Sequence, residues 1–327
     1  MKYQAEDLSA FSKQIRIAVD RYKPHPYERN DIRNVVIAGL GGSGIAGRIA
    51  RNYLEDEMKV PVEVVSEYKL PGYVGPESLV ILSSYSGNTE ETLSMYEDAQ
   101  ARGSKLIALS TGGKLLELAE KAGIPFYKAD PGYQPRMALG YSLTYLLLIL
   151  NDFSAQEFEE ELLRAAAALE NEEPFIKEAK GLMEHFPDKG MTIQVLCDRL
   201  TYPVALRFTQ QVNENAKGEA FVVPLPETNH NVIESHTGKR HSMFIILNGH
   251  DHPRVDLRFT FLKSLLEEKE NHVITLELAQ KNLASYLELV YKLDWLSLLL
   301  ADAKGINSAE IPNINRLKTF LKENQQA

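Results

Sequence analysis

An α/β fold of two parallel sheets flanked by helices follows from three features of the sequence. Short β-branched runs alternate with stretches of helical spacing. This alternation occurs once on each side of a long acidic stretch. Two strand-to-helix turns in the first half are rich in glycine and hydroxyl residues. Strands that alternate with helices form parallel sheets through right-handed crossovers. The chain has 327 residues, about two domains' length, and a core of that size needs no disulfide or metal to hold it.

The elements of the first half follow in order. Residues 34–39 (NVVIAG) read as a buried strand ending in glycine. Residues 43–57 read as a helix with Ile45, Ile49 and Leu54 near one face. A second strand spans 60–66 (VPVEVVS), and a third spans 78–83 (SLVILS) after the turn residues Gly75 and Pro76. A helix over 89–102, a strand over 105–110, a helix over 114–122 and a strand over 124–128 continue the alternation. The longest apolar stretch, 137–150, contains Gly140, Ser142 and Thr144. It is shorter than the ~20 residues of a membrane-spanning helix, so 136–152 is expected to be a buried helix.

Residues 154–185 carry Glu159, Glu160 and Glu161 and read as a solvated helical connector. The second half then alternates again. Strands are expected at 192–197, 243–247 and 272–276, and helices at 202–216, 254–270 and 279–303, with a short helix after Pro312. The expected division is a first domain over 1–153, the connector over 154–185 and a second domain over 186–327. The halves share their order of elements without a close sequence repeat.

Composition narrows the function. Hydrophobic residues make up 44% and charged residues 25%, an ordinary globular balance. The net charge of −9, from 45 acidic against 36 basic residues, argues against a broad surface for nucleic acid or anionic lipid. A local pocket for a small anion stays compatible with it. The single cysteine, Cys197, excludes an internal disulfide and a cysteine-based zinc site. The N-terminal MKYQAEDLSAFSKQ lacks the apolar core of a signal peptide. A reducing, cytoplasmic setting is expected.

Two loops carry chemistry. Gly39-Leu40-Gly41-Gly42-Ser43-Gly44 is a GxGxxG between a strand and a helix. Glycines there let the backbone approach an anion, and the helix start supplies free N–H groups. Glu63 and Glu67 fall where a ribose-binding acid would sit, so a nicotinamide-dependent dehydrogenase is one reading. A purely structural tight turn is another. The second loop, Ser83-Ser84-Tyr85-Ser86-Gly87-Asn88-Thr89, favours a phosphate monoester instead. Ser84, Ser86 and Thr89 present hydroxyls just before a helix begins, at the strand ends where α/β proteins bind ligands. N-capping of that helix by Asn88 or Thr89 is expected alongside.

Together these loops resemble those of sugar isomerase (SIS) domains. Asn213-Glu214-Asn215-Ala216-Lys217 and Asn229-His230-Asn231 are similar to one branch, the archaeal-type bifunctional phosphoglucose/phosphomannose isomerases, which have two SIS domains. The resemblance covers nearly the whole chain from about Asn34 onward. It implies an aldose–ketose isomerase of carbohydrate metabolism, acting on glucose 6-phosphate and fructose 6-phosphate without redox cofactor or metal. By this resemblance Gly42 and Ser43 belong to the glycine-rich loop, and Ser84, Ser86 and Thr89 to the phosphate cradle. Arg136 matches an arginine near the reacting carbons, and Glu214 the base that moves a proton between carbon-1 and carbon-2. His230 matches a ring-opening histidine donated by the other subunit of a homodimer. Lys318 matches a lysine near the sugar ring. Where bifunctional members carry threonine, seven residues before that lysine, this chain has Ile311, which puts the mannose epimer in question. A regulatory protein that only senses a sugar phosphate is a further reading, although the chain shows no DNA-binding segment.

Residue type alone leaves these positions open. Glu214 near a helix C-terminus and Arg136 near a helix start both oppose the macrodipole. Each also reads as an ordinary surface charge, and His230 as a solvated histidine. Lys318 shares an apolar stripe with Ile314, Leu317 and Leu321. Its stem is therefore a candidate for burial, with the amine reaching either a pocket or water. The run Asn248-Gly249-His250-Asp251-His252 lacks a third ligand at helical or strand spacing and reads as a polar loop, not a metal site.

Overall fold

The computed structural model describes residues 4–154 and 157–324. Two helices, α1 (Ala5–Ser9) and α2 (Phe11–Arg21), precede the first sheet. Phe11, Ile15 and Ala18 of α2 are buried at helical spacing.

The first sheet contains β1 (Asn34–Gly39), β2 (Val62–Val65), β3 (Ser78–Ser83), β4 (Lys105–Ser110) and β5 (Phe126–Lys128). All its pairings are parallel, in the order β2-β1-β3-β4-β5. Helices α3 (Gly41–Tyr53), α4 (Glu90–Ala101) and α5 (Gly113–Ala122) make the crossovers, and α6 (Leu139–Asn151) closes the half. Every residue of β3 is buried. That is why its sequence is a continuous apolar run and not an alternating one.

Helices α7 (Glu159–Ala168) and α8 (Glu173–Glu184) lie between the sheets. Glu159 and Glu160 are exposed, but Leu162, Ala165, Ala166, Phe175 and Ala179 are buried. The segment is thus a packed layer, with α7 against α2 and with α7 and α8 both against α11 (Leu283–Ala303).

The second sheet contains β6 (Thr192–Cys197), β7 (Ala220–Pro224), β8 (Ser242–Asn248) and β9 (His272–Glu277), all parallel, in the order β7-β6-β8-β9. Its helices are α9 (Tyr202–Ala216), α10 (Pro253–Glu268) and α11. This order repeats β2-β1-β3-β4, so each half has its topological switch point beside its first strand. The short edge strand β7 was not expected from sequence. Phe221 is exposed and Pro224 ends the strand, so AFVVP lacks the pattern of a buried run.

Helix α12 (Pro312–Glu323) comes last and buries no residue. The expectation that the Lys318 stem is buried along an apolar stripe therefore fails within one chain. Ile314, Leu317, Phe320 and Leu321 do form a stripe, and it faces outward.

Candidate active site

The two loops meet at the C-terminal ends of β1 and β3. Tyr85 N donates to Ser43 Oγ at 3.2 Å, which ties the glycine loop to the hydroxyl loop. In the hydroxyl loop, Ser84 Oγ and Thr89 Oγ1 share a hydrogen bond of 2.8 Å, and Gly87 N donates to Ser84 Oγ at 3.1 Å. Ser86 Oγ accepts from Asn88 N at 3.2 Å. Gly87 has φ +68°, and a Cβ there would lie 1.8 Å from Gly112 O, so only glycine fits this turn.

Side-chain capping of α4 does not occur. Thr89 is the N-cap residue, but its hydroxyl is turned to Ser84, and Asn88 Oδ1 accepts from Lys114 N at 3.0 Å. The Ser84 and Thr89 hydroxyls are thus turned toward one another and not to the helix end, while Ser86 stays exposed on the loop. Glu63 accepts from the Tyr73 hydroxyl at the exposed edge of β2.

Close packing accounts for the glycine loop. A Cβ on Gly42 would lie 2.6 Å from Pro135 O. The bare backbone at Gly42 therefore lets α3 abut the single 3-10 turn Pro135–Met137, which carries Arg136. Arg136 is buried. Its Nε donates to Asn215 Oδ1 at 2.8 Å, and its Nη2 to Ser308 O at 2.7 Å and Gln4 Oε1 at 3.2 Å. Its Nη1 donates to Glu214 Oε2 at 3.1 Å and to Gln134 Oε1. Burial draws its pKa below the ordinary arginine value, and Glu214 works against that shift.

Glu214 sits in the last turn of α9, which ends at Lys217 in the left-handed region (φ 48°). A carboxylate there opposes the helix dipole, and the buried guanidinium beside it compensates. Lys217 Nζ donates to Glu214 O and, at 2.6 Å, to Glu310 O, which tethers the segment before α12 to the end of α9. A half-exposed carboxylate against a fixed cation is an arrangement that can take a proton from carbon and stabilise the charge that forms.

The structure joins Gly42, Ser43, Ser84, Thr89, Arg136 and Glu214 through these contacts, and Ser86 lies exposed on the same loop with its hydroxyl accepting from Asn88 N. His230 and Lys318 stand apart. His230 is exposed at the end of a 3-10 turn, Glu227–His230, after β7. Lys318 is exposed on α12, and neither residue makes a hydrogen bond or ion pair with the other site residues described. In the polar loop before α10, Asp251 pairs with Arg199 at 2.8 Å and His252 Nδ1 caps α10 by accepting from Arg254 N at 3.1 Å.

Sequence reasoning quoted Asn215 in its motif without giving it a role, and missed Gln134 and the buried pair Arg207–Asp294 at 2.6 Å behind them. Arg207 and Asp294 each interrupt an apolar helical run, VALRF and KLDWL, and that interruption was the available signal.

Fold and site together define a protein of two SIS-type halves. Residues 30–129 match the SIS domain, and residues 175–321 match the bacterial phospho-glucose isomerase C-terminal SIS domain. The fold is similar to the C-terminal domain of glucosamine-fructose-6-phosphate aminotransferase from Francisella tularensis. The TM-score is 0.75 at 16% identity, covering 95% of this chain and 99% of that one. The chain is 38% identical over 307 residues to the bifunctional phosphoglucose/phosphomannose isomerase of Caldicellulosiruptor bescii, covering 90% of this chain and 91% of that protein. It is 35% identical over 298 residues to the protein of the same description from Aquifex aeolicus, covering 89% and 91%. The chain belongs to the bifunctional phosphoglucose/phosphomannose isomerase family.

Proposed function

We propose that this protein is an aldose–ketose isomerase that interconverts glucose 6-phosphate and fructose 6-phosphate through a cis-enediolate, as a cytoplasmic homodimer with shared sites. The Arg136–Glu214 pair at 3.1 Å, joined to a hydroxyl cradle through the Gly42–Pro135 contact, carries this reading. Relatives named as isomerases favour it over the sensor and dehydrogenase readings.

In this mechanism Ser84, Ser86 and Thr89, with the loop of Gly42 and Ser43, hold the 6-phosphate. That anchor orients the far end of the sugar. His230 and Lys318 move protons at the ring oxygen and the anomeric hydroxyl, which opens the ring. Glu214 takes the proton from carbon-2 and returns it to carbon-1. Arg136 stabilises the enediolate oxygens. The proton shuttles within one substrate, so the balance needs no oxidant or reductant.

Topology supports a shared site. Glu214 ends α9 at the entry of β7, whereas His230 lies beyond the exit of β7. Five strand residues, a strand of about 16 Å at ~3.3 Å per residue, lie between these ends, which favours a histidine supplied by a second copy. The outward stripe of α12 and the exposed Leu257 and Phe261 of α10 offer apolar surface for a second copy.

The test is to add fructose 6-phosphate without any cofactor and follow glucose 6-phosphate in a coupled assay. Isomerisation is expected, and its absence refutes the proposal. Mixing inactive Glu214→Gln with inactive His230→Ala should restore part of the turnover. No recovery from verified mixed dimers would refute shared sites.

A further inference from the structure

We propose that Asn215 is a positioning residue that locks the Arg136 guanidinium through Nε, so that its outer edge, chiefly Nη1, is left to meet the substrate. The proposal rests on the isomerase reading above.

A guanidinium has five N–H donors, and in this structure all five have acceptors. Those acceptors differ in how freely they exchange. Asn215 is fully buried and Ser308 nearly so, and the Asn215 amide oxygen would be left orphaned if it let go. Glu214, Gln134 and Gln4 are part-exposed, so water can replace their bond. Glu214 and Gln134 both sit at Nη1. Sugar oxygens therefore exchange in at that edge, beside the carboxylate, while Nε stays pinned.

The direction of the Asn215 amide is itself set. Ser297 Oγ donates to Asp294 O at 2.7 Å, so toward Asn215 it can only accept. Asn215 Nδ2 donates to it at 2.8 Å, which turns Oδ1 to Arg136. Asp294 is in turn held by Arg207 Nε and Nη2, at 3.1 and 2.6 Å, and by Gln211 Nε2 at 3.2 Å. Arg207 Nη2 also donates to Arg136 O at 3.0 Å. One buried network thus grips Arg136 by its main chain and by the inner edge of its head.

The experiment compares Asn215→Ala, Asn215→Asp and Ser297→Ala in the full chain, with Glu214→Gln alongside. Thermal melting and steady-state isomerisation of fructose 6-phosphate are measured for each. Asn215→Ala should lower kcat by about 10²-fold, the effect of a ~1 Å misplacement of a reacting group. KM should change little, because the phosphate anchor lies on other loops. Asn215→Asp keeps an acceptor for Nε whichever way it rotates, and should recover much of that kcat. Ser297→Ala takes away the acceptor of Nδ2, which loosens the amide's hold on Nε, and should lower kcat with the fold intact. This variant carries the test if Asn215→Ala does not fold. Folded Asn215→Ala with unchanged kcat overturns the proposal, as does unchanged kcat in Ser297→Ala. So does Asn215→Asp no faster than Asn215→Ala, the pattern of a merely structural residue. Full turnover in Glu214→Gln would instead strike the isomerase reading, so the two failures are distinguishable.

Discussion

Replacing Arg136 by lysine keeps the charge and removes the geometry. Lysine carries a methylene where arginine has Nε, so Asn215 Oδ1, now 2.8 Å from that nitrogen, would face carbon. The ammonium can still reach Ser308 O, which Arg136 Nη2 holds at 2.7 Å, and Glu214, Gln134 and Gln4 can turn to water. The cost therefore falls on one buried, orphaned amide oxygen, about 1–3 kcal/mol. An unfolding entropy of about 2.1 cal/mol/K per residue over a chain of this size makes that a fall in Tm of roughly 1.5–4 °C. Turnover should fall further than stability. The two N–H groups of Nη1, fixed in the guanidinium plane, become a point charge, and losing a positioned donor to a developing oxyanion typically costs about 10²–10³-fold. Calorimetry and the coupled assay on one preparation read both quantities. An unchanged Tm together with near-normal kcat would refute the argument that Arg136 is held through Nε and works through its outer edge.

Ile311 is the N-cap residue of α12 and makes no side-chain cap. Ile311→Thr should raise the stability of that helix by about 1 kcal/mol in hydrogen exchange or helicity, and should raise turnover of mannose 6-phosphate relative to glucose 6-phosphate. Equal turnover of the two epimers by the unmodified protein would remove Ile311 as the discriminator. Burial pushes the phenols of Tyr127 and Tyr145 from 10.0 to about 12. The folded state thus holds these protons after the unfolded chain has lost them. Their contribution to stability is complete below pH 10 and is lost as pH rises toward about 12. Chemical denaturation across that window should show the decline, and Tyr127→Phe should make it shallower; a flat profile in the unmodified protein would contradict the assignment.

Much of the frame is written locally. The sequence placed β1, β3, β4 and β6 and helix α9 at the bounds the structure has, because a doubly covered parallel strand needs an uninterrupted apolar run and a helix declares itself by its period. The clustering of hydroxyls and glycines in one loop was legible as well, since they lie within a few residues of chain. Its hydrogen bonding was not. Whether Thr89 caps α4 or turns to Ser84 depends on where that loop settles against Gly112 and Gly113. The same limit applies to β7, whose edge position removes the burial that would mark it, and to the α12 stripe, whose spacing reads equally well as core or as outer face.

The sequence by itself determined two α/β halves, a hydroxyl-rich loop beside a glycine-rich one, and a family with its candidate residues. Tertiary structure alone decided which of those residues meet. Arg136 is held by Gln4, Gln134, Glu214, Asn215 and Ser308, and its partner Asn215 lies 79 residues along the chain. Hydrogen bonds act over about 3 Å and within a narrow range of angles. Such a set leaves no period or spacing in the sequence. It exists only once α3, α9 and the Pro135–Met137 turn have packed together.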